Sequence, residues 1–203
     1  GSYSKPEKIL ERPYSLSYPF IFQHDNEFFM IPESHSNRTV ELYKCIEFPK
    51  KWKFEKNIME DVEAVDSTLF FYKNTYWLFV GIAENKGVST SDELFLFYSE
   101  NPLSNNWIPH PQNPIVSDIR CARSAGKIFE DAGKIYRPAQ DCSNGYGYKV
   151  IVNQIITLNK MEYQEKEFHI IDPEYDSKLT GIHTFSHEKK LTMLDGKLKR
   201  RKL

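Results

Sequence analysis

Residues 123–141, RSAGKIFEDAGKIYRPAQD, decide the fold. Residues 127–129 read as a short apolar strand, 130–133 as a tight polar turn and 134–136 as a second strand. A polar cluster follows: Arg137, Gln140 and Asp141. Glycine in a turn between two short runs of this kind marks a β-hairpin.

The same plan recurs in SYPFIFQHDNEFFMIPES from Ser17, VDSTLFFYKNTYWLFVG from Val65 and GIHTFSHEKKLTMLDG from Gly181. Each places an aromatic on its first strand: Phe22, Phe70, Phe129 and Phe185, spaced by 48, 59 and 56 residues. A second series keeps the same period. Trp52, Trp107 and Tyr163 lie 55 and 56 residues apart, each after a strand-like run (VELYKC, LFLFYS, VIVNQI), and read as outer packing residues. A period of this length, filled by about four short strands, is the signature of propeller blades. The expected fold is therefore an all-β propeller within one domain, residues 1–203. Its blades fall at about 17–62, 63–117 and 121–172, with a partial blade at 181–203.

Ile9 and Leu10 stand before the first hairpin as NIMEDV, NPIVSD and HIIDPE stand before the later ones. That position makes residues 3–16 the outer strand of a preceding or composite blade. Two closures follow from it. Either residues 8–11 pair beside the C-terminal segment 197–202, whose basic KLKRRKL forms a third strand, or a blade upstream is missing and the ring is larger.

Composition narrows the function. Phe and Tyr number 14 and 12 in 203 residues, which suits half-buried pleated surfaces. A net charge of −1 gives no footprint for nucleic acid. No apolar run approaches the roughly 20 residues of a membrane-spanning helix. Cys45, Cys121 and Cys142 are an odd number without metal-ligand spacing, so they read as reduced thiols of a cytoplasmic protein, and neither a metal nor a cofactor is expected.

The innermost strands of a propeller line a central channel. At their mouth the four hairpins carry Tyr18, Asp66, the stretch 123–125 with Arg123, and His183. A second ring lies where the inner hairpins end: Glu33, Arg137, Gln140 and Asp141. Carboxylate, amide and guanidinium groups bind hydroxyls, and aromatic faces stack on the apolar faces of sugar rings, so this funnel suits a carbohydrate. Each residue also has a structural reading. Asp66 can close a turn, Arg123 and Arg137 can pair with Asp141 or Glu33 between blades, and His183 can be a satisfied core histidine. Asn144–Gly147 reads as a flexible turn, with a ligand-contacting lip as the alternative.

The stretches LSYPF, MIPES, AVDSTLF, LFLFYSENPLSNNWIPHPQNPIVSD, ARSAGKIF, KIYRPAQDCS and GIHTFS resemble the propeller domain of glucosamine inositolphosphorylceramide transferases and their bacterial relatives. The resemblance runs from about Leu16 to Gly196. That domain is in turn similar to five-bladed furanosidase-type propellers such as glycoside hydrolase family 43. The resemblance implies an accessory role, because in the plant proteins the transferase chemistry belongs to a separate domain. It also implies an N-terminal blade with an Asp-Pro motif, which this chain lacks, so a missing blade, a fused domain or a second chain is the expected protein partner. Among the carboxylates of the furanosidase-type relatives, Asp66 matches the second Asp, while Tyr18 stands where the first belongs and Gln140 and Asp141 stand where a Glu acid belongs. Glycoside hydrolysis needs two carboxyl groups across the scissile bond, and Glu33 with Asp66 is the pair available. Three functions remain open: a propeller that recognises a glycan or nucleotide-sugar beside a glycan-modifying enzyme, a glycosidase or glycosyl-transferring enzyme using Asp66 and Glu33, and a structural partner-binding propeller.

Overall fold

The computed structural model describes residues 5–85, 87–188 and 191–198. The chain is all-β, apart from single 3-10 turns at His35–Asn37 and Pro173–Tyr175. The first antiparallel sheet runs in order through β1 (Ser17–His24), β2 (Glu27–Ser34), β3 (Thr39–Glu47) and β4 (Lys51–Glu60). The second contains β5 (Ala64–Tyr72), β6 (Thr75–Ile82), β7 (Glu93–Ser99) and two short outer strands, β8 (Ile108–Pro109) and β9 (Val116–Ser117), both paired with β7. The third contains β10 (Phe129–Asp131), β11 (Lys134–Asp141), β12 (Lys149–Leu158) and β13 (Tyr163–Ile171). Two short ladders follow. β14 (Leu179–Gly181) pairs with β17 (Lys197–Leu198), and β15 (Phe185–Glu188) pairs with β16 (Leu191–Leu194).

The inner hairpins share one turn chemistry. Asp25-Asn26, Lys73-Asn74 and Ala132-Gly133 are two-residue loops in which both residues have positive φ. That is the mirror-image turn whose twist matches the flanking strands, and Asn and Gly favour it. In the third hairpin β10 starts only at Phe129, and β11 runs on through Arg137, Gln140 and Asp141. The polar cluster expected after the hairpin is part of its second strand.

Side-chain alternation glues the sheets face to face. In the second sheet Leu69, Leu78, Val80 and Phe95 pack against Phe29, Ile31, Val40 and Leu42 of the first. The intervening Phe70, Trp77, Phe79, Leu94 and Leu96 pack against Ile128, Ile135, Ile155 and Tyr163 of the third. Tyr136, Val150 and Val152 on the far face of the third sheet meet Ile182, with Leu179 and Phe185 beside them. Trp107 is buried in the first of these seams and Tyr163 in the second, whereas Trp52 is half-buried and donates to the Pro49 carbonyl at 2.8 Å. Gly126 marks the closest approach in the last seam: a Cβ there would lie 1.9 Å from the Phe185 carbonyl oxygen.

The chain ends depart from expectation. Residues 8–11 form no strand, and Ile9 is 40% exposed. The segment is tied down by side chains instead. Arg12 donates to the Tyr43 hydroxyl at 2.7 Å, and Tyr14 donates to Glu41 at 2.6 Å. Pro13 and Pro6 flank the run and offer no N–H to a ladder. At the other end β17 pairs with β14 rather than adding a third strand to the last hairpin. Residues 199–203 and the turn at 189–190 lie outside the described residues.

Phe79 is fully buried in the second seam and meets Tyr163 edge-on at 5.9 Å. Phe79→Ala should lower unfolding free energy by about 3–5 kcal/mol in urea titration. A loss below about 1 kcal/mol would show that this seam does not hold the sheets together.

Candidate functional site

The site is set by backbone irregularities at the mouth ends of β1 and β5. Registers shift between Ser17 and Phe20 and between Val65 and Thr68, and at these bulges Tyr18 and Asp66 adopt positive φ, 41° and 49°. Non-glycine residues in this region each cost on the order of 1–3 kcal/mol, and bulges re-aim side chains out of the regular pleat. Tyr18 and Asp66 thereby line a cavity of about 560 Å³ with Glu33, Arg123, Gln140 and Tyr146. His183, between β14 and β15, lines the same space.

Asp66 and Arg123 form the centre. Arg123 Nε donates to Asp66 Oδ2 at 2.7 Å, and its Nη2 lies 3.6 Å from Glu33 Oε2. Nη1 reaches Thr90 and Ser91 at 3.3 and 3.4 Å, and the guanidinium sits 4.9 Å over the Tyr146 ring. Gln140 Nε2 bridges the Ser124 carbonyl at 2.8 Å and Asp66 Oδ2 at 3.3 Å. Glu33 and Asp66 are within hydrogen-bonding reach of each other. Burial, opposed by Arg123 and reinforced by Glu33, pushes the Asp66 carboxyl up to about 7. Tyr18 links to this centre through Thr68, hydroxyl to hydroxyl at 2.9 Å, and burial raises its phenol.

His183 is held from behind. Asp195 accepts the backbone N–H groups of His183 and Thr184 at 2.9 and 2.8 Å and contacts imidazole Nδ1. Burial works against ionisation of Asp195, but the two backbone donors outweigh it and keep its carboxyl below the ordinary value. Tyr146 meets the imidazole edge-on at 5.2 Å.

Tyr18, Glu33, Asp66, Arg123, Gln140 and His183 are thus brought together. Arg137 and Asp141 are not. The pleat puts them on the opposite face of β11 from Gln140. Arg137, 1% exposed, makes a two-pronged pair with Glu165, at 2.8 and 2.5 Å, and donates to the Cys121 carbonyl. Asp141 accepts from Ser143 and lies 3.7 Å from Lys149. The expected pairing of Arg137 with Asp141 or Glu33 is replaced by Glu165. Arg120 is exposed and pairs with Asp118.

Asp195, Thr90 and Ser91 were not expected at the site, whereas Tyr146 was expected there only through the ligand-contacting lip, the alternative to a flexible turn at Asn144–Gly147. Tyr146 had a signal, an aromatic between two glycines at a lip. Asp195 had none, because its partner is twelve residues away across a hairpin. Phe22, Phe70, Phe71 and Phe129 wall a second cavity of about 620 Å³. Among the described residues no group of three or more His, Cys, Asp or Glu side chains is placed to hold a metal, and no helix is long and apolar enough to cross a membrane.

Two measurements test this geometry. Because the folded carboxyl of Asp66 binds its proton more tightly than the unfolded one, the stability from this group is present below about pH 4 and is lost as pH rises through about 7. The carboxyl carbon of Asp66 should titrate near pH 7 by NMR, and Asp66→Asn should flatten the decline in melting temperature between about pH 4 and 7. A midpoint in the ordinary carboxylate range would contradict the burial. Separately, Arg137→Ala should lower stability by about 3–5 kcal/mol, since it strands Glu165 without its partner. A change within 0.5 kcal/mol or so, the usual size for a surface substitution, would show the pair to be dispensable.

The sequence matches the family described as "Glucosamine inositolphosphorylceramide transferase 1, N-terminal" over residues 3–191. Glucosamine inositolphosphorylceramide transferase 1 of Oryza sativa subsp. japonica is 39% identical over 158 residues, which cover 77% of this chain and 21% of the rice protein. The Arabidopsis thaliana protein of that name is 38% identical over 160 residues, 78% of this chain and 21% of its own length. The chain therefore spans about a fifth of the length of these plant relatives. Among solved structures, the GH43 protein BlXynB from Bacillus licheniformis superposes with a TM-score of 0.62 at 17% identity, over 88% of this chain and 38% of that one. The GH43_1 enzyme from Xanthomonas citri, complexed with xylotriose, gives 0.60 at 7% identity, over 91% of this chain and 67% of that one. These likenesses establish an all-β propeller of the five-bladed furanosidase type. With the family match running over almost its whole length, the chain belongs to the glucosamine inositolphosphorylceramide transferase 1 N-terminal domain family.

Proposed function

We propose that this chain is a carbohydrate-recognising propeller, binding a glycan or a nucleotide-sugar, that works beside a glycan-modifying enzyme. One observation carries the reading. Four successive inner hairpins bring Glu33, Asp66, Arg123, Gln140, Tyr146 and His183 or their neighbours to one cavity of about 560 Å³, with aromatic and polar groups side by side. That combination is what a sugar ring requires, an apolar face to stack and hydroxyls to bind. The relatives' name supports the setting, since they are glucosamine transferases and this chain corresponds to about a fifth of their length. A fused or separate domain is then the expected carrier of transferase chemistry.

A second reading is a glycosidase or glycosyl-transferring enzyme in which Asp66, raised to about 7, serves as acid and Glu33 as its partner. The same contact weighs against it. Two carboxyl groups within hydrogen-bonding reach leave no room for a glycosidic bond between them, and hydrolases hold theirs about 5 Å or more apart. Recognition is the stronger reading.

Saturation-transfer NMR against a panel of oligosaccharides and nucleotide-sugars tests it. At least one probe should bind, and Asp66→Ala and Tyr146→Ala should each weaken it tenfold or more while circular dichroism is unchanged. Binding that survives both substitutions would place the sugar elsewhere.

A further inference from the structure

The polar groups around the cavity differ in what they have left to offer. Arg123 and Gln140 commit their donors within the protein, and His183 and Lys127 each commit one. Arg123 directs Nε to Asp66, Nη2 toward Glu33 and Nη1 to Thr90 and Ser91, and Tyr146 covers its face. Gln140 Nε2 is held by the Ser124 carbonyl and Asp66, His183 Nδ1 by Asp195, and Lys127 by Glu188 at 2.7 Å.

The acceptors are open. Gln140 Oε1 is buried without a hydrogen-bond partner, in a residue only 1% exposed. Beyond their contact with each other, Asp66 Oδ1 accepts no hydrogen bond from the described residues, and the Glu33 carboxylate has only Arg123 Nη2 at 3.6 Å. Ionised carboxylates and amide carbonyls accept and never donate, and a buried acceptor left empty is destabilising. What completes this wall is therefore a set of donors.

Charge points the same way. Glu33 and Asp66 face one guanidinium that is already paired with both, so even with one proton shared between the two carboxyl groups no positive charge is left over. A diphosphate needs cationic or N–H donors converging on it, and the Arg and Lys side chains that line the cavity, Arg123 and Lys127, are each already held by carboxylates.

We propose that the cavity takes an uncharged sugar of a glycan through that sugar's hydroxyl donors, and rejects the diphosphate of a nucleotide-sugar. The proposal rests on the carbohydrate-binding reading of the same cavity and narrows its ligand class.

Calorimetric titration of the whole chain decides it, with xylotriose, maltotriose and chitotriose as neutral probes and UDP-glucose, UDP-N-acetylglucosamine and UDP as charged ones. A neutral probe should bind at least tenfold more tightly than any UDP compound. Gln140→Leu, which removes the buried acceptor, should weaken it tenfold or more. Glu33→Gln replaces an acceptor by a donor and relieves Arg123, so it should weaken the neutral sugar and narrow the gap to UDP-sugars. If Gln140→Leu fails to fold, the Glu33→Gln arm still decides. A UDP-sugar that binds tenfold more tightly than every neutral probe, and is lost in Asp66→Ala, would keep the site but overturn the acceptor argument. Neutral binding unchanged by both Gln140→Leu and Glu33→Gln would overturn it as well. No binding by any probe would remove the carbohydrate reading and this inference together.

Discussion

The second sheet buries both its faces, and the rest of the molecule is arranged around that constraint. Leu78 and Val80 point into one seam while Trp77 and Phe79 point into the other. A strand buried on both sides reads as a continuous apolar run, and TYWLFVGI in β6 is one. Once both faces of the second sheet are apolar, Asp66 at the bulge of its inner strand turns to the cavity. The strain at Tyr18 and Asp66 is tolerable for the same reason. Packing on either side of β5 over-determines its path, so two residues held in the left-handed region do not relax.

Two buried arginines show how position along the pleat assigns a role. Arg137 lies inside the second seam and meets Glu165 with both prongs, a pairing that holds β11 to β13 within the third sheet. Its charge is matched and its site is closed. Arg123 lies at the mouth and is shared by two carboxylates from two other strands, so the cluster as a whole carries more acceptor capacity than donor capacity. The Arg137–Glu165 pair is balanced within itself, whereas the Arg123 cluster leaves Gln140 Oε1 without a partner.

Membership of the transferase N-terminal family and the likeness to GH43 propellers are two different kinds of information. The first comes with identity near 39% and names relatives several times longer than this chain. The second comes with identity of 7–17% and speaks only to the path of the backbone. Between them stands the site itself. The donors and acceptors of Asp66, Arg123 and Gln140 are what the proposed ligand would have to match.

The repeat of Phe22, Phe70, Phe129 and Phe185 was legible in the sequence because blade packing demands an apolar residue once per hairpin at a fixed place, and a one-dimensional string records such periods directly. The same logic brought Tyr18, Glu33, Asp66, Arg123, Gln140 and His183 forward, since register along equivalent hairpins predicts a shared mouth. It also over-reached. Arg137 and Asp141 lie one pleat away from Gln140, and neighbours in sequence point to opposite faces. Residues 8–11 have the pattern of an outer strand, yet side-chain bonds from Arg12 and Tyr14 seat that segment instead. By itself, then, the sequence determined the fold class, the period and most of the ring of polar residues. Only the tertiary structure decided which charges pair. Asp66 with Arg123, Arg137 with Glu165 and His183 with Asp195 depend on distances between strands and on the burial that makes those distances count, and neither quantity is written in residue spacing.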